Sequence, residues 1–126
     1  MIASQETVDF LVGYYAEMEA GDPDRYGKYL ADNISLTFSN NQPINGRESV
    51  MEAYDGLLSS IEKVQHVLSN VWEEDNGTVI FETKSIYHMP DGSQKETVAA
   101  AVFKIANDQI VEQRIYVDMA PLTSES

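Results

Sequence analysis

Three side chains in this sequence have the chemistry to move a proton or polarise a carbonyl near neutral pH: Tyr14, His66 and Asp118. A phenol donates a hydrogen bond, an imidazole exchanges a proton close to pH 7, and a carboxylate accepts one. Each has a plainer alternative. Tyr14 lies on the inward side of a helical pattern, where it either reaches a bound carbonyl or bonds within the core. His66 opens a strand and serves as a base or as a structural residue. Asp118 closes the last strand and is a base, a salt-bridge partner or an exposed carboxylate. Gln113 is the polar residue on the inner side of that strand, so it orients a ligand or bonds Tyr14.

Other chemistries find no residues. Cysteine is absent, which removes a thiol nucleophile, a disulfide framework and a thiolate metal site. The second histidine, His88, precedes a turn far from His66, and no carboxylate cluster accompanies either, so no metal is expected. No glycine-rich phosphate loop occurs, and no cofactor is expected. The formal charge is −13, from 21 acidic against 8 basic residues. Nucleic acid and anionic membranes would be repelled by such a surface, and neither is an expected partner. No basic region precedes an apolar run at the start, and no apolar stretch approaches the ~20 residues that span a bilayer, so a cytoplasmic location is expected.

The elements that must position these residues follow from periodicity. The length of 126 residues suits a single domain, with residues 120–126 as a flexible tail. Ser4 caps a first helix with Val8, Leu11, Val12, Tyr15 and Met18 as its apolar stripe, widened by Phe10 and Tyr14. Asp22-Pro23 starts a second, shorter helix. Residues 34–38 alternate as a strand, and the polar residues 39–46 form a loop. Asn45, with Glu48 reaching back, caps a third helix. The apolar period then shortens to two, predicting strands over 64–73, 78–88, 94–105 and 109–119. Short turns at Asn76-Gly77, Asp91-Gly92 and Asn107-Asp108 make them an antiparallel meander. Helices first and strands last predict an α+β fold.

Turn positions predict the register. Phe81 falls opposite Ala101, and Ala101 opposite Gln113; Thr83, Ala99 and Ile115 align, then Ser85, Thr97 and Val117. These residues share an inner face with Val79, Tyr87, Phe103 and Val111. The alanines at the middle of a central strand leave space there, for a ligand or a helix. The outer face carries Ile80, Glu82, Lys84, Ala100, Val102, Glu112, Arg114, Tyr116 and Asp118, with charges paired across strands and enough apolar area for a dimer contact.

Residues 9–34, the segment Pro43-Ile44-Asn45-Gly46-Arg47-Glu48, and residues 105–110 and 116–118 resemble the SnoaL-like branch of the nuclear transport factor 2-like superfamily. The resemblance implies three N-terminal helices packed on a curved antiparallel sheet, a cone with an internal pocket, and dimers formed through the outer sheet face. Aligned with the ketosteroid isomerases of that superfamily, Tyr14 takes the position of the oxyanion-hole tyrosine, Phe38 that of the general base and Ala101 that of the protonated aspartate. Without the base, that isomerisation is excluded. The epoxide hydrolases need an aspartate–arginine–aspartate set, and the alignment puts Ile115 at the last-strand aspartate. A polyketide-cyclase-like reading would use Asp118.

The resulting expectation is a small-hydrophobic-molecule-binding protein, an isomerase, cyclase or dehydratase acting on a carbonyl compound, or else a non-catalytic binding or assembly module. Tyr14, His66 and Asp118 are its candidate catalytic residues. Phe38, Tyr54, Phe81, Thr83, Ala99, Ala101, Phe103, Gln113, Ile115 and Val117 are its candidate pocket lining. Expected partners are a small apolar ligand and a second copy of the chain.

Overall fold

The computed structural model describes residues 2–123. In chain order the elements are α1 (Gln5–Ala20), α2 (Pro23–Tyr26), a 3-10 turn (Gly27–Tyr29), β1 (Leu30–Phe38), β2 (Ile44–Asn45), α3 (Arg47–Ser59), β3 (Lys63–Glu73), β4 (Thr78–His88), β5 (Gln94–Ala106), β6 (Gln109–Val117) and α4 (Ala120–Thr123). They make a six-stranded sheet in the order β2-β1-β6-β5-β4-β3, with helices over its inner face.

Local chemistry explains most boundaries. Ser4 Oγ accepts from the Thr7 N–H, and Gly21 closes α1 in the left-handed conformation. The buried stripe of α1 is Leu11, Tyr14, Tyr15 and Met18, the 3–4 spacing of one helix face. Val12, expected inside, is 52% exposed because it lies a quarter-turn off that stripe. Asp22 caps α2, with Pro23 at its first position.

Three features depart from expectation. The 39–46 segment contains β2, because Asn45 and Ile44 pair with Ser35 and Leu36. Asn45 is therefore a strand residue and cannot cap α3; the chain enters that helix through Gly46, at φ +94°, whose N–H donates to the Ile34 carbonyl. Next, the sheet is mixed, since β1 runs parallel to β6. The whole helical and meander region separates these two strands, so no tight turn constrains their direction. Last, residues 120–123 form a turn of helix, with Leu122 resting on Ile61, Val64 and Tyr87. Residues 124–126 of the expected tail lie outside the described residues.

The face assignment holds along the meander. Phe81, Thr83, Ser85 and Tyr87 on β4 are buried, as are Thr97, Ala99, Ala101 and Phe103 on β5. The β4–β5 register is as expected, with Phe81 opposite Ala101 and Thr83 opposite Ala99. The β5–β6 register is shifted by two: Ala101 faces Ile115, and Phe103 faces Gln113. The cause is local. Asn107 and Asp108 both adopt positive φ and make a two-residue turn, so Ala106 pairs with Gln109 and Ile105 with Ile110. Continued unbroken, that pairing would put odd residues opposite even ones. A bulge after Ile110 leaves Val111 unpaired and restores the parity. Ile110, not the expected Val111, is consequently the fully buried residue at the start of β6. A side chain at Gly77 could not be accommodated in the preceding hairpin, because its Cβ would lie 2.4 Å from the Ile105 carbonyl oxygen.

On the outer face Arg114 pairs with Glu112 at 3.1 Å and Lys84 with Glu96 at 3.8 Å, while Glu82 accepts from Asn70. These exposed pairs contribute roughly 0–1 kcal/mol each.

Candidate functional site

Two groups of polar side chains lie under the helices. The deeper one joins α1, α3 and β6. The Gln113 amide donates to the Tyr14 hydroxyl at 3.1 Å, and the Tyr54 hydroxyl donates to the Gln113 carbonyl at 2.6 Å. The proton arrangement runs one way: Tyr54 gives to Gln113, and Gln113 gives to Tyr14. Tyr14 and Gln113 have no exposed surface and Tyr54 has 8%. Burial pushes the Tyr14 phenol up to about 12, and holds Tyr15 and Tyr54 well above the ordinary tyrosine value. All are neutral donors at physiological pH. Aromatic edges pack around the cluster, with Phe103 and Tyr29 against Tyr14, and Tyr26 against Tyr54.

The second group lines a cavity of about 50 Å³. Its wall includes Tyr15, His66, Thr83, Ser85, Thr97, Ala99 and Ala101, and its rim the half-buried Phe38, Leu57 and Val117. His66 stands opposite Ser85 on β3, on the inner face. Its ring stacks on Tyr15 with centroids 4.4 Å apart. Glu19, one helical turn after Tyr15, accepts from both the His66 backbone N–H at 2.6 Å and ring Nδ1 at 3.0 Å. With Nδ1 carrying the shared proton, Nε2 is the basic nitrogen, and it has no partner among the described residues. The His66 side chain is 11% exposed. Thr83 Oγ1 is buried and makes no hydrogen bond among the described residues.

The structure brings together only part of the expected site. Tyr14 is inside, but its hydroxyl is engaged by Gln113, and it does not line the cavity. Asp118 is exposed just beyond β6, where Oδ1 accepts from the Ala120 N–H at 2.9 Å. It stands away from the cavity because it falls on the outer parity of β6. His88 is on the surface, bonded to Gln65. Of the expected lining, Phe38, Tyr54, Thr83, Ala99, Ala101, Ile115 and Val117 border the cavity. Phe81, Phe103 and Gln113 lie in the solid core beside it, where Tyr15 of α1 packs edge-on against Phe81 and Tyr14 against Phe103.

Glu19 was not legible as a functional residue. It lies 47 positions from His66, and its only sequence signal is its place one helical turn beyond an inward tyrosine. Among the described residues no three His, Asp or Glu side chains are grouped to hold a metal ion, and no helix is long and apolar enough to cross a membrane.

A mixed sheet with helices over its inner face and a small cavity between them is the fold shared with solved nuclear transport factor 2-like proteins. Residues 11–113 match the SnoaL-like domain family, and the chain belongs to that family. No curated protein matches it. Solved structures share the fold at low identity. A proposed SnoaL-like polyketide cyclase from Jannaschia sp. CCS1 is 16% identical, with a TM-score of 0.78 over 100% of this chain and 99% of that one. A protein with a ketosteroid isomerase-like fold from Catenulispora acidiphila DSM 44928, in complex with trimethylamine, is 14% identical, with a TM-score of 0.80 over 93% and 91%. TerC, co-crystallised with polyporic acid, is 7% identical, with a TM-score of 0.78 over 92% and 94%.

Proposed function

We propose that this SnoaL-like protein binds a small, mostly apolar carbonyl compound in the inner cavity and moves a proton on it, with His66 as general base. The observation that carries the reading is the state of His66. It is nearly buried on the cavity wall, its Nδ1 is held by Glu19, and its Nε2 has no partner among the described residues. A carboxylate on Nδ1 sets the tautomer, orients the ring and offsets the charge once Nε2 has taken a proton. Tyr14 and Asp118 drop out of the proton path, the first bonded by Gln113 away from the cavity and the second on the surface. Carbonyl chemistry is the class to test first, since a fold neighbour is a proposed polyketide cyclase.

The test is deuterium incorporation next to the carbonyl of small ketones in heavy water, followed by proton NMR. The wild-type chain should accelerate it and His66→Gln should not. Equal rates for the two chains would refute the assignment.

One observation favours the non-catalytic alternative. The cavity holds about 50 Å³, against the ~300–1,000 Å³ of ordinary ligand pockets. A cone this full would serve binding or assembly. We also propose a homodimer through the outer sheet face, supported by the exposure of Ile80 at 38%, Tyr116 at 51% and Val98 at 69%.

A further inference from the structure

Thr83 occupies the middle of β4, opposite Ala99, with its side chain on the inner face. It is 4% exposed, and Oγ1 has no hydrogen-bond partner among the described residues. Buried hydroxyls are nearly always bonded, because they give up water on folding. Valine would fill the same space, is equally suited to a strand, and would bury no unpaired oxygen. Packing therefore does not account for threonine here. The hydroxyl borders the same cavity as His66. His66 stands opposite Ser85, two residues along β4 from Thr83, so Thr83 lies on the cross-strand diagonal, about 7 Å from His66 at Cβ. A proton acceptor and an unused donor thus flank one space, and Ala99 and Ala101 keep that space open on the β5 side.

Resting on the proton-transfer reading above, we infer that Thr83 Oγ1–H is the hydrogen-bond donor to the substrate's carbonyl oxygen, and that the substrate is a ketone or related enolisable carbonyl with a compact reacting end. The size follows from the cavity. About 50 Å³ is a third of the ~150 Å³ that admits a benzene ring, so a carbonyl with its methyl or methylene neighbour enters and bulkier parts stay against Phe38, Leu57 and Val117 at the rim. In the step itself, His66 Nε2 takes the proton from the carbon next to the carbonyl. The C–H electron pair becomes the new C=C bond, and the C=O π pair moves to oxygen. That oxygen accepts from Thr83 Oγ1–H. Return of the proton from Nε2–H to carbon regenerates both residues, and no further reactant is consumed. Tyr14, the donor expected from the resemblance, is replaced in this role because it is fully buried, accepts from Gln113 and does not border the cavity.

The experiment measures deuterium incorporation into butanone and α-tetralone in heavy water by the wild-type chain, Thr83→Val, Thr83→Ser and His66→Gln, with thermal melts of each. Thr83→Val should lower kcat for butanone about 100-fold with little change in KM, the usual loss for one oxyanion donor. Thr83→Ser should keep most of the rate, and α-tetralone should exchange no faster than in buffer. The Thr83→Val melting temperature should equal or exceed that of wild type, since an unpaired hydroxyl is removed. Butanone exchange unchanged in Thr83→Val but lost in His66→Gln would overturn the role of Thr83 and leave the base in place. A lowered melting temperature in Thr83→Val would overturn it too, by showing that the hydroxyl supports the fold. Comparable exchange of α-tetralone would overturn the size assignment. No wild-type exchange of either ketone above buffer would overturn the proton-transfer reading and this inference with it.

Discussion

Two polar clusters share the inner side of one sheet, and they are finished differently. In the Tyr54–Gln113–Tyr14 cluster each hydroxyl is bonded, because the amide bonds both tyrosines. In the cavity wall, His66 Nε2 and Thr83 Oγ1 have no partner among the described residues. The first cluster bonds within itself, so it ties α1, α3 and β6 together, and Tyr14 and Gln113 lie away from the cavity. The wall keeps capacity in reserve, at a cost to stability of about 1–3 kcal/mol for an unpaired buried hydroxyl. Satisfaction of a polar group, more than its burial, separates the part that holds the fold from the part that can do chemistry.

The comparison can be broken by substitutions that act on one cluster and not the other. The largest expected effect is kinetic. His66→Gln should cut ketone exchange by about 1,000-fold while the melting temperature stays within a few degrees of wild type. Gln113→Leu should do the reverse. It deprives two buried phenols of a partner and should lose about 3 kcal/mol in urea unfolding, with the exchange rate of the folded protein unchanged. Next comes alkaline pH. The unfolded Tyr14 value is 10.0 and the folded one about 12, so the unfolded chain releases the proton first. Stability should be intact below pH 10 and fall by roughly 2–3 kcal/mol as pH rises through 12, and Tyr14→Phe should flatten that slope in pH-resolved unfolding. Glu19→Gln should slow exchange on the order of 10-fold through a misoriented imidazole, without moving the urea midpoint; a full rate would separate Glu19 from the base. The smallest effect on either cluster belongs to Val98→Asp with Tyr116→Asp. Sedimentation should show a monomer in place of the proposed dimer, with both clusters intact.

Much of the fold was legible because it rests on local rules. The meander follows from two-residue periodicity between turn signals, and the parity of Phe81, Thr83, Ala99 and Ala101 follows from turn positions. Gln113 as a partner of Tyr14 was one of two readings open for that residue, and it is the one the structure shows. The departures share one cause, which is that a single backbone conformation redirects everything after it. The two-residue turn at Asn107-Asp108 and the bulge at Val111 each moved the β5–β6 register by one, and together they exchanged Val111 for Ile110 in the core. The pairing of Ile44 and Asn45 with β1 took Asn45 away from α3. Neither leaves a mark in composition or period.

From its residues alone the chain dictated an α+β layout, the inward-facing side of each central strand, and an acidic, cysteine-free makeup with no phosphate-binding loop. Those properties depend on side-chain periodicity and charge, which act over a few neighbouring positions. Which polar groups meet was decided by tertiary structure. Glu19 and His66 are 47 residues apart, and Tyr14 and Gln113 are 99 apart. Only the closing of the helices over the curved sheet determines that Tyr14 finds its partner while Thr83 and His66 are left facing a cavity.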